Sequence, residues 1–188
     1  MKRNAKFAAL MVAVLAVGVL GLTSGRAAAQ SPTLDVTLGF IRDAVAQQGK
    51  LNFASTTRDP ADGQTWDNQF TVEASNVTSD ESRCTVGWHW LSTVDGKSAQ
   101  DLDAEIDFKI VTSATITSLD DDIARLNAND GHAGWVSQMR PPITVLLVRK
   151  SDGHSNTVDF SDHDLAERVA KAMRHAADLC GGTKSQPF

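Results

Sequence analysis

A chain of 188 residues, 41% of them hydrophobic, is long enough to fold as one domain of ordinary size without a metal or a dense disulfide framework. Residues 1–29 hold four basic side chains and no acidic one. Setting them aside leaves 14 basic against 23 acidic residues, a net charge of −9. Such a domain repels phosphate backbones and anionic lipid headgroups, which speaks against nucleic acid and against charge-driven membrane docking.

The first 29 residues predict a compartment. Lys2, Arg3 and Lys6 make a positive start, Phe7 to Leu22 follows as an uncharged apolar run, and Ala27-Ala28-Ala29 closes it with small residues. That order is the pattern of a secretory signal cleaved just before Gln30. The apolar run is about 16 residues, short against the roughly 20 that a spanning helix requires. No cysteine follows the run, which argues against a lipid anchor; an uncleaved N-terminal anchor is the alternative. No later segment is apolar enough to span a bilayer, so the expected location is exported, periplasmic or secreted. The expected organisation is a signal peptide over 1–29, a single α+β domain over 30–182 and a flexible tail over 183–188.

The domain is expected to open with a helix. Ser31 is placed to cap it with Pro32 at its first position, Leu34, Leu38, Ile41 and Val45 recur on one stripe, and Gly49 ends it. From Lys50 to Phe160 the period changes to two. Leu51 and Phe53 start a first strand, stopped by Asp59-Pro60 and Asp62-Gly63. Phe70, Val72 and Ala74 share a face of a second. Cys84, Val86, Trp88 and Trp90 share a face of a third, which ends at the Asp95-Gly96 turn. From Asp101 to Ile110 every even position is apolar and every odd one charged, the alternation of a strand with one dry and one wet face.

Ala114 to Thr117 reads as a short strand, and Ser118-Leu119-Asp120-Asp121 as a capping box leading into a helical turn through Leu126. A strand-turn reading of the latter is nearly as good. Residues 127–134 read as a loop, Ile143 to Lys150 as a strong strand, and His154 to Phe160 as its hairpin partner across Asp152-Gly153. A second helix follows, with Ser161 and Asp164 as a capping box and Leu165, Val169, Ala172, Met173, Ala176 and Cys180 as its stripe, ending at Gly181-Gly182.

The predicted fold is therefore α+β: an N-terminal helix, a strongly bent antiparallel sheet or β-barrel of about six to seven strands, and a C-terminal capping helix. Over residues 50–180, and in the closing run from Val158-Asp159-Phe160 to Leu179, this element order resembles the pleckstrin-homology-like (PH-like) barrel. The helix before the first strand is an addition to that pattern. The resemblance implies a binding module more readily than an enzyme.

Residues able to carry chemistry are sparse. His89, His132, His154, His163 and His175 show no His-Glu-x-x-His spacing and accompany no Cys-x-x-Cys, so no metal ligands are assigned and no cofactor is expected. No Gly-x-Ser-x-Gly elbow is present, and no catalytic residue is assigned. Asn76-Val77-Thr78 fits a glycosylation acceptor but carries no weight without knowledge of the host. Cys84 and Cys180, an even pair, suggest one disulfide in an oxidising compartment; two buried thiols are the alternative. Asp101, Asp103, Glu105 and Asp107 form an acidic ladder, read as a solvated face that discourages edge-to-edge pairing and, less readily, as a site for a basic peptide or a loosely held calcium ion.

The chain has four tryptophans and no tyrosine. Trp88 and Trp90 are expected in the core, whereas Trp66 and Trp135 lie beside loops and are the candidate binding residues. The expected function is an uncharacterised exported, non-enzymatic binding or interaction module for a peptide, a lipid or an envelope component. Its partner would be another protein or a small apolar ligand. The alternatives are an exported hydrolase-type enzyme using carboxylates such as Asp103, Glu105 or Asp107, and a structural domain whose helix 31–48 packs on another protein. Nothing in the sequence sets the oligomeric state.

Overall fold

The computed structural model describes residues 31–132 and 134–181; the candidate signal segment 1–29 and the tail 183–188 lie outside them. The elements run α1 (Leu34–Gln48), β1 (Lys50–Arg58), β2 (Thr65–Asp80), β3 (Thr85–Val94), β4 (Lys97–Asp107), β5 (Val111–Ser118), α2 (Leu119–Asn129), β6 (Val136–Arg140), β7 (Thr144–Lys150), β8 (Ser155–Phe160) and α3 (His163–Leu179). Five strands form one sheet in the order β4-β3-β2-β1-β6, and three form a second in the order β5-β7-β8. Every strand pair is antiparallel.

The α+β class and the two terminal helices are as the sequence predicts. Two details are corrected: the described residues contain eight strands rather than six or seven, and the sheets do not close into a barrel. The break lies where the alternation of β4 was expected to run on to Ile110. Phe108 is instead fully buried, and its N–H donates to the Cys84 carbonyl at 2.9 Å. The Ile110 carbonyl accepts from the Ser151 N–H at 2.8 Å, so the chain has already joined the second sheet. β4 and β8 are thereby left as outer strands, each paired on one side alone.

Local chemistry explains most of the boundaries. The cap of α1 is Thr33 rather than Ser31, with its hydroxyl accepting from Val36 N–H at 3.5 Å. Asp162, not Ser161, caps α3 by accepting from Leu165 N–H at 3.0 Å. Ser118 caps α2 as expected, accepting from Asp121 N–H at 3.0 Å and donating to its carboxylate at 2.6 Å. That helix runs on to Asn129, past the expected Leu126. Asp95 and Gly96 both adopt positive φ, 49° and 74°, the backbone a two-residue turn needs between twisted strands β3 and β4.

The larger core joins α1 and α3 to the inner faces of both sheets. Leu38, Ile41 and Val45 of α1 meet Val86, Trp88 and Ile106 of the first sheet and Leu146, Val148, Val158 and Phe160 of the second. The buried face of α3 is Ala166, Val169, Ala170, Met173, Ala176 and Ala177. It is turned from the expected stripe because the helix packs on both α1 and β5, and its alanines let those neighbours close in. A smaller core of Leu51, Phe53, Val72, Met139 and Ile143 lies under α2, against which Leu119 and Ile123 pack.

A candidate cleft between the two sheets

The register of the first sheet sets opposite characters on the two faces of β3 and β4. Trp88 pairs with Ala104 and Trp90 with Leu102. These four side chains share the inner face, because alternate residues of a strand point the same way. In the second sheet Asn156 lies opposite Val148 and shares its face with Val158 and Phe160, so it too points inward. Between β4 and β8 these faces leave an open cleft of about 150 Å³, lined by Trp88, Trp90, Gln100, Leu102, Ala104 and the start of β8 from Ser155 to Thr157.

Two polar atoms distinguish this cleft. The Trp88 indole N–H and the Asn156 Oδ1 are buried and bonded to no protein group among the described residues. Trp88 is 3% exposed, so its ring is core while its N–H is left unanswered. A buried donor or acceptor without a partner costs about 1–3 kcal/mol, which makes such groups rare in folded proteins. Both residues line the same cleft, and their unanswered atoms, one donor and one acceptor, lie closed off from solvent behind its surface. Sequence reasoning placed Trp88 in the core correctly but missed its polar end, and it missed Asn156. No sequence signal brings the start of β8 beside β4, since strand order is a tertiary property.

The outer face of the same strands carries the acidic ladder, and each of its members has a partner. His89 spans Asp103 through Nδ1 at 3.1 Å and Asp101 through Nε2 at 3.3 Å. Arg83 makes two bonds to Glu105, at 2.8 and 2.9 Å, and Asp107 accepts from Lys109 N–H at 2.9 Å. Asp103, the most open, is 93% exposed. These carboxylates stand on a solvated face outside the cleft, so they lack the shielded setting that a general acid requires. No group of three or more potential metal ligands occurs among the described residues.

The two candidate tryptophans are brought together. Trp66, near the start of β2, stacks on Trp135 at 5.1 Å between centroids, and His132 lies against Trp135 at 4.4 Å. Each indole therefore spends one face on its neighbour, and the stack pins the loop before β6 to the β1–β2 hairpin. The cysteines are also joined: Cys84 and Cys180 form a disulfide with Cα atoms 6.0 Å apart. Cys84 is not in mid-strand as expected but in the turn before β3, at a φ of 61°. That turn is organised by Asp80, which accepts from the Ser82 hydroxyl at 2.7 Å and from Arg83 N–H at 3.1 Å; these bonds hold its carboxyl below the usual carboxylate range.

A second, wholly apolar concavity of about 450 Å³ lies between α1 and α3, formed by Val36, Phe40 and Ala172, with His175 Nε2–H donating to the Pro32 carbonyl at 2.9 Å. No helix among the described residues is long and apolar enough to cross a membrane. No family model matches the chain, and no curated protein or solved structure shows significant similarity to it.

Proposed function

We infer that this protein is an exported, non-enzymatic binding module whose ligand enters the cleft between β4 and β8. The observation that carries the reading is an open cleft between the two sheets whose lining includes Trp88 and Asn156, each with a buried polar atom that no protein group among the described residues answers. Export is supported by the charged, apolar and small-residue order of residues 1–29 and by the disulfide, a bond that persists in oxidising compartments.

The indole N–H resonances of the four tryptophans provide a direct test. Titration with acetamide, a short peptide and lauric acid is expected to move the Trp88 resonance, assigned through Trp88→Phe, while Trp66 and Trp135 stay in place. A Trp88 signal indifferent to all three overturns the reading. Fractionation of producing cells, with N-terminal sequencing of the exported material, tests the address: a start at Gln30 is expected.

A further inference from the structure

Resting on the reading of the cleft as a binding site, we propose that its ligand is an extended peptide with alternating apolar and basic side chains, added as a strand to the free edge of β4. β4 has β3 as its one strand neighbour, so every second residue turns its backbone N–H and C=O away from the sheet with no strand to receive them. An added strand satisfies those groups in the manner of β-augmentation.

The side chains at this edge specify the pattern of the newcomer. On the inner face Trp90, Leu102 and Ala104 form an apolar wall, with Leu102 45% exposed in the absence of a neighbour. On the outer face of the same strand stand Asp101, Asp103 and Glu105. A strand laid against β4 presents its residues alternately to these two faces, so apolar side chains meet the wall and basic ones meet the carboxylates. The same acidic ladder disfavours a second copy of this chain, since two β4 edges would bring carboxylate rows together.

The test uses the purified protein and a blocked peptide of alternating valine and lysine. Controls are a valine–glutamate alternation and a peptide of the same composition with its valines and lysines in separate blocks. The valine–lysine alternation is expected to shift the backbone amides of β4 and the Trp88 indole N–H. Its affinity should fall as salt rises, and by about tenfold in the double variant Asp101→Lys, Asp103→Lys, whose changes lie on the exposed face and spare the core. Leu102→Lys is expected to weaken it as well.

Equal binding of the block peptide, or shifts confined to Trp66 and Trp135 or to the α1–α3 groove, overturns the inference. Movement of the Trp88 signal by acetamide or lauric acid but not by the peptide also overturns it, while leaving the binding cleft itself standing. In the free protein, a Trp88 resonance that moves on Asn156→Ala and ignores every ligand shows that the two groups satisfy each other, and then both readings fall.

Discussion

Asp159 is half-buried on β8, and its carboxyl is pushed up to about 6, first by burial and second by the negative charge of Asp122 on α2. The folded state therefore holds this proton more tightly than the unfolded chain, whose ordinary value is 3.8. The stability the proton provides is complete below the lower value and is lost as pH rises through the upper one, so at neutral pH the native state carries an ionised group it disfavours. Two pK units correspond to about 3 kcal/mol as a ceiling, which partial exposure to solvent reduces. Asp159→Asn is expected to stabilise the protein by about 1 kcal/mol near neutral pH and to be close to neutral near pH 4. Urea unfolding at the two pH values checks this; equal changes at both would refute it. At the same scale, Trp135→Ala removes the stack on Trp66 and is expected to cost about 1–2 kcal/mol in urea. It should leave valine–lysine peptide binding unchanged, which separates the structural aromatic pair from the cleft. The sequence marks Trp66 and Trp135 as loop-side aromatics, yet their stacking depends on the pairing of β1 with both β2 and β6, which no local pattern encodes.

Among the elements, those with regular polarity were legible and those with inverted polarity were not. The two terminal helices, the Asp95-Gly96 hairpin and the β7–β8 hairpin follow from periodicity and turn chemistry, whereas α2, with no buried residue, leaves a helical turn and a strand-turn nearly equally open. β6 escaped because its pattern runs backwards: Ser137 and Met139 face inward while Val136 is 64% exposed. The Ser137 hydroxyl is 2.9 Å from that of Thr57, which gives a buried polar residue its partner and makes the inversion tolerable. β4 shows the opposite case. Its alternation is the cleanest in the chain, but Ile106 is its one buried residue, because an outer strand has no neighbour to complete the dry face. The helix ends depend on neighbours that a capping pattern does not distinguish. Asp162→Ala is expected to cost about 1 kcal/mol and Ser161→Ala to be near neutral, as read from urea midpoints. The reverse order would return the cap of α3 to Ser161.

For the molecule as a whole, the Cys84–Cys180 bridge joins the turn before β3 to the end of α3 across 96 residues. In a chain-entropy description a loop of that length contributes about 4–5 kcal/mol, and measured losses on removing native bridges run to about 2–5 kcal/mol. The double variant Cys84→Ser, Cys180→Ser is expected to lose about 3 kcal/mol in urea and to melt well below the parent, provided the bridge is intact in the parent sample. An unchanged midpoint would mean that packing alone holds α3 to the sheets. The pairing was legible because two cysteines admit a single partnership, whereas the cleft was not, because its walls come from two sheets whose separation only the folded chain reveals.

The bridge also turns the polypeptide from Cys84 to Cys180 into a covalent ring that encloses β3 to β8 and both later helices, while α1, β1 and β2 hang outside it. A protease that cuts the exposed stretch around Asp130 and Gly131 opens the ring without releasing a piece. The nicked molecule should travel as one band without reductant and as two with it. One exposed internal loop can thus be severed while the edge strands β4 and β8 stay attached to one another through the bridge.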